Sequence, residues 1–128
     1  MSYEMYQEAI LDHYQNPRNK GDLEEADIEA REDNPLCGDE IALYLKLNDD
    51  RVVEDVKFQG QGCAISQASA SMLTVKLKGK PLEEVLQIDE DAVLQTLGIP
   101  ISHARLKCAL LSLSALRIGL EAYQGDGP

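Results

Sequence analysis

Positive charge is scarce in this chain. Its 128 residues hold 12 Lys and Arg against 23 Asp and Glu, a formal net charge of −11. Nucleic acid and anionic membrane surfaces both call for a basic face, so neither is expected as a partner. No apolar run approaches the roughly 20 residues of a membrane span. The start, MSYEMYQEAI, has no basic region followed by an apolar stretch, so a secretory signal is not expected either. Repeats and low-complexity tracts are absent. So are HExxH, CxxC, a phosphate-binding loop and a nucleophile elbow. Gly60-Gln61-Gly62-Cys63-Ala64-Ile65 keeps two glycines of a dinucleotide fingerprint, with Ile65 where the third belongs. Cysteine is sparse and odd in number: Cys37, Cys63 and Cys108. Without a signal peptide, that count argues against a disulfide framework and for reduced thiols in a cytoplasmic protein.

What is present suits one small soluble domain. Apolar residues make up 44% and charged residues 27%, and a chain this long buries enough surface to fold without staples. The pattern predicts one domain over 1–124 and a flexible tail over 125–128. Tyr6, Ala9, Ile10, His13 and Tyr14 form a helical stripe that ends at Asn16-Pro17. The acidic run from Glu24 to Asp33, with Ile28 and Ala30 alternating, predicts a charge-protected edge strand. Ile41, Leu43, Leu45 and Leu47 make one strand, and Val52 to Phe58 returns as another after the turn residues Asn48-Asp49-Asp50. From Cys63 the period becomes helical through Ile65, Ala68, Met72 and Val75. Gly79 then reads as a helix stop and Pro81 as the first residue of a short helix to Gln87. A further helix is predicted over Glu90 to Leu97. A last long one carries two apolar stripes, Leu106-Leu110-Leu113-Leu120 and Leu111-Ala115-Ile118-Ala122. The order predicts an α+β fold, a three-stranded antiparallel sheet with helices packed on one face.

The cysteines share a context. Cys37 lies in the loop Asn34-Pro35-Leu36-Cys37-Gly38-Asp39, with a carboxylate two residues on. Cys63 follows Gly60-Gln61-Gly62 and opens a helix, where thiolate is favoured. Cys108 follows Arg105 and Lys107, cations that favour thiolate as well. Three thiols and one carboxylate make a four-ligand set for a tetrahedral metal or an iron–sulfur cluster. Their spacing does not distinguish that set from three separate thiols, and on the residues alone both readings stay open. His13 reads as a packing residue and His103 as a surface one. Arg105 reads equally as a partner of the Cys108 thiolate or as a surface ion pair.

Four ordered motifs carry more. His13-Tyr14-Gln15-Asn16-Pro17-Arg18-Asn19-Lys20-Gly21, Asn34-Pro35-Leu36-Cys37-Gly38-Asp39, Gly60-Gln61-Gly62-Cys63-Ala64-Ile65-Ser66 and Arg105-Leu106-Lys107-Cys108 together resemble the IscU/SufU/NifU-N family of iron–sulfur cluster assembly scaffolds. The resemblance runs from about Tyr3 to Tyr123. It implies that Cys37, Asp39, Cys63 and Cys108 converge to hold a [2Fe-2S] cluster, or Zn2+ at the same site. It implies a cysteine desulfurase as sulfur source, Cys108 as persulfide acceptor, and apo iron–sulfur proteins as recipients. A desulfurase complex or a homodimer would shelter the half-exposed site.

Two departures matter. Classical IscU members carry histidine before the third cysteine, whereas Lys107 stands here and a protonated lysine cannot ligate. Lysine resembles the SufU branch of zinc-dependent sulfur acceptors, but the long insertion usual in that branch is missing. The segment Gly98-Ile99-Pro100-Ile101-Ser102-His103-Ala104-Arg105-Leu106-Lys107 also differs from the stretch that an Hsp70-type chaperone reads, so that partner is doubtful.

Overall fold

Strand β2 (Asp39–Leu47) forms the centre of the sheet, between β1 (Ile28–Asn34) and β3 (Val53–Gln61), with both neighbours antiparallel. A computed structural model describes residues 3–35 and 38–126. The alternation read from the sequence sets the register: Ile28 pairs with Leu45, Leu43 with Phe58 and Leu45 with Val56. Ile28, Ile41, Leu43, Leu45, Val56 and Phe58 are all buried, and they floor the main core. Ala42 and Tyr44 point to the other face yet are buried too. A central strand has neighbours on both sides, and Ala42 is flanked by Arg31 and Gln59, Tyr44 by Glu29 and Lys57. The outer edge of β3 is covered by the segment after the first helix, through Phe58 N–H to Asn19 O (2.9 Å) and Gly21 N–H to Phe58 O (2.8 Å). β1 lies at the other edge, and its exposed charged residues oppose strand addition there.

Helix α1 (Tyr3–Gln15) stops before Pro17, as expected. Helix α2 (Ala64–Leu77) is buried from Ser66 to Thr74. Its small residues let neighbours approach on several sides, and α1, β3 and the C-terminal helices all pack on it. Much of its polar side is matched, although Gln67 Oε1 is buried without a hydrogen-bond partner among the described residues. Ser71 Oγ lies 2.8 Å from His13 Nδ1 and accepts from Arg18 N–H at 2.9 Å, while Asn19 Nδ2 donates to Thr74 Oγ1 at 3.1 Å. These bonds fasten the segment after α1 to α2. Helices α3 (Leu82–Val85) and α4 (Glu90–Leu97) follow. Asp89 caps α4 by accepting from Ala92 N–H, and Gly98 ends it in the left-handed region, φ 71°, with the Tyr6 ring where a Cβ would stand. Pro81 serves as the cap before α3 rather than as its first residue, and α3 ends at Val85, short of Gln87.

The last segment corrects the sequence reading. The single long helix is broken into a 3-10 turn (His103–Arg105), α5 (Leu106–Ala109) and α6 (Leu111–Asp126), with Leu110 out of helical geometry at φ −103°, ψ 5°. The Ser69 hydroxyl donates to Ala109 O at 2.7 Å, a tertiary bond that holds the chain at the break. Leu113, Leu116 and Leu120 of α6 face the core, and Gly119 lies so close to Ile28 that a Cβ would stand 2.7 Å from its Cγ2. Tyr14, Val75 and Ile118, assigned to apolar stripes, are exposed. Each stands at the margin of its stripe, where helix geometry turns it to solvent. Gly125 and Asp126, placed in the tail from sequence, belong to α6, and residues 127–128 lie outside the described residues. Among the described residues, no helix is long and apolar enough to cross a membrane.

Candidate metal centre

The site forms where the β1–β2 hairpin, the start of α2 and the short α5 meet. Asp39 is the first residue of β2 and pairs with Asn34, the last of β1. The connection turns at Gly38, φ 72°, whose N–H donates to Asn34 O at 2.9 Å. This places the Asp39 side chain inward, only 1% exposed. A buried carboxylate is costly unless it is satisfied. Cys63 N–H donates to Asp39 Oδ1 at 2.8 Å, and the Cys63 thiol faces Asp39 Oδ2 at 3.7 Å.

Gly62 makes that contact possible. It holds φ 148°, and any Cβ there would overlap Asp39 Oδ1. The glycine therefore leaves the space that the carboxylate fills. Cys63 occupies the N-cap of α2 with extended backbone (φ −70°, ψ 164°) and makes no side-chain capping bond. The first turn of α2 has no acidic residue. The positive end of its dipole is thus directed at Cys63 and Asp39, which suits an anionic donor set. Cys63 is half-buried and a free thiol.

Cys108 arrives from α5 and is 2% exposed. Asn34 Nδ2 donates towards its Sγ at 3.9 Å. One ligand atom each from Asp39, Cys63 and Cys108 lie within 4.8 Å of one another. The edge of a tetrahedron of zinc–sulfur bonds is about 3.8 Å, so a small closure would bring all three onto one ion. Two sulfurs and an oxygen suit zinc or iron rather than magnesium or calcium. The structure therefore brings together three of the four residues singled out from sequence. Cys37, the fourth, lies outside the described residues.

Arg105, Lys107 and His103 are exposed. Lys107 lines a cleft of about 420 Å³ beside the site, with Asn34, Pro35, Glu32 and Leu110. Glu32, turned inward on β1, accepts from the Ser114 hydroxyl at 3.0 Å. His13 lies away from the three donors, on the Ser71 side of α2, and burial holds its pKa below the ordinary 6.5, with the Arg18 charge adding to the effect. Asn34 is the residue that motif reading passed over. Its signal was available: it shares the inward parity of Ile28 and Ala30 on β1, where a polar side chain needs a partner.

Residues 5–127 match the NifU-like N terminal domain family. The chain belongs to that family. An iron-sulfur cluster assembly scaffold protein IscU of Archaeoglobus fulgidus is 44% identical over 119 residues, covering 93% of this chain and 76% of that relative. The zinc-dependent sulfurtransferase SufU of Bacillus subtilis is 42% identical over 138 residues, covering 94% of this chain and 92% of the relative. That alignment is longer than this chain's own 128 residues, so the relative carries residues that this family member lacks. Among solved structures, a putative SUF-system scaffold protein from Fervidobacterium islandicum superposes with a TM-score of 0.77 at 32% identity, covering 94% of this chain and 99% of that one. These relatives agree with the α+β architecture drawn from the sequence.

Proposed function

We propose that this protein is a scaffold on which an iron–sulfur cluster is assembled and from which it is passed to apoproteins. Its ligand set is Cys37, Asp39, Cys63 and Cys108, and its cargo a [2Fe-2S] cluster. The observation that supports this most is the convergence of Asp39, Cys63 and Cys108, three donors from distant parts of the chain, within 4.8 Å. A scaffold has to hold its cargo and release it. One carboxylate corner among thiolates is the more exchangeable ligand, since oxygen suits harder ions than thiolate does. Asp39 is held in place by Cys63 N–H whether or not it ligates.

A cysteine desulfurase supplies the sulfur. Cys108 is buried and has to be uncovered when the desulfurase docks; its thiolate then attacks the sulfane sulfur of the desulfurase persulfide, the new S–S bond forms on Cys108, and the desulfurase thiolate leaves. An external reductant then provides two electrons per sulfur to give sulfide, which iron binds. A desulfurase or a second copy of the chain covers the half-buried Cys63 side meanwhile.

A second reading is a SufU-like sulfur acceptor with zinc on the same four residues. Lys107 favours it, and so does the 42% identity to a relative bearing that name. The residues missing from this chain relative to SufU weigh against it. Anaerobic incubation with a cysteine desulfurase, cysteine, a reductant and ferrous iron separates the two. The scaffold reading expects sulfur-to-iron charge-transfer bands and about two irons per site. A colourless protein that keeps one zinc and only accelerates the desulfurase would contradict it.

A further inference from the structure

The mouth of the β1–β2 hairpin is closed by two residues that face each other, and both are polar and buried. Asn34 and Asp39 are register partners, 7% and 1% exposed. Burying such groups is unfavourable unless each finds a partner. Asp39 finds the N–H and thiol of Cys63. Asn34 directs its side-chain amide at Cys108, 74 residues further along the chain. Each member of the pair therefore addresses one of the two described thiols.

We propose that Asn34 is a positioning residue of the metal centre, its Nδ2–H donating to the Cys108 sulfur and holding it toward Asp39 and Cys63. This rests on the reading of the three donors as a metal site. The 3.9 Å separation is long for a strong bond, and a neutral thiol is a weak acceptor. A sulfur that ligates a metal carries negative charge and accepts far better. The bond is therefore worth more in the loaded state than in the empty one, and the difference favours loading. Donors of this kind also fix the orientation of a ligand.

The backbone of Asn34 is held on both sides, by pairing with Asp39 and by Gly38 N–H on its carbonyl, and the residue is buried, which leaves its side chain little room to turn away. An amide also suits the position electrically. The two preceding residues, Glu32 and Asp33, are acidic and line the same cleft as Asn34. A third carboxylate at 34 would repel the thiolate that the amide stabilises.

The test uses the full chain and zinc alone. In amide-correlation NMR, the Asn34 side-chain signals are expected to differ between apo wild type and Cys108→Ala. They are expected to move downfield when wild type takes up one equivalent of zinc. In chelator competition, Asn34→Ala is expected to bind zinc about 10-fold and Asn34→Asp up to about 100-fold more weakly than wild type, with part of the loss restored in Asn34→Gln. The NMR arm needs no variant at 34, so misfolding of those variants would not leave the question open. If wild type binds zinc and the Asn34 signals stay where they were, or if Asn34→Asp binds as wild type does, the role of Asn34 is wrong and the site stands. If wild type binds no zinc, the reading of the site itself falls.

Discussion

Asp39 answers two demands with one carboxylate: it satisfies the N-cap N–H of α2 through Oδ1 and presents Oδ2 beside the Cys63 thiol. Gly62 is the condition for both, because a side chain there would take the space of Oδ1. Gly62→Ala is expected to lose about 1–3 kcal/mol of stability through strain and overlap, read by denaturant unfolding, and to lose metal uptake with it. Asp39→Ala is expected to cost more in metal affinity than the roughly 10- to 100-fold typical of losing an outer-shell partner. Lys107→Ala, at an exposed position beside the site, should leave affinity unchanged. Competition with a chelator measures both, and indifference to Asp39 with dependence on Lys107 would reverse the ligand assignment. The three donors could be singled out at this scale, Asp39 and Cys63 because they follow glycines and Cys108 because it follows two cations, but their convergence was implied only by the resemblance of the four motifs. Asn34 was less legible, since its part depends on Cys108 arriving from α5.

At the level of elements, α2 shows why periodicity reaches only part of the way. Ala68 and Met72 lie where the stripe put them, but Ser66, Gln67, Ser69, Ser71 and Thr74 are buried as well. A helix enclosed on several sides can bury polar residues when neighbouring segments supply bonds, as they do for Ser69, Ser71 and Thr74, and those neighbours are not local in sequence. The break at Leu110 was hidden for the same reason, because the bond from Ser69 to Ala109 joins residues forty positions apart. Strands and their register were readable, since alternation and turn chemistry are local. His13 tests this packing. Its pKa is lowered in the fold, chiefly by burial and then by Arg18, so the unfolded chain binds the proton more tightly. The stability linked to His13 is therefore complete above pH 6.5 and declines as pH falls through that value towards the lower folded pKa. Relative to His13→Asn, wild type is expected to gain stability as pH rises from about 5.5 to about 7.5. Parallel pH profiles of the two proteins in urea unfolding would contradict this.

In the whole molecule, a small acidic domain brings the hairpin mouth, a helix start and a short broken helix to one place. The acidity keeps nucleic acid off the list of expected partners and says little about the site, whose charge logic is local. The odd number of cysteines, by contrast, becomes intelligible on the proposed ligand set, in which Asp39 would complete what three thiols leave short. The most direct measurement of that claim is zinc-edge X-ray absorption on the full chain loaded with one equivalent of the metal. Three sulfur scatterers at about 2.3 Å and one oxygen at about 2.0 Å are expected from Cys37, Cys63, Cys108 and Asp39, with the oxygen lost or exchanged for solvent in Asp39→Ala. A nitrogen neighbour from histidine, or two or fewer sulfurs per zinc, would contradict it.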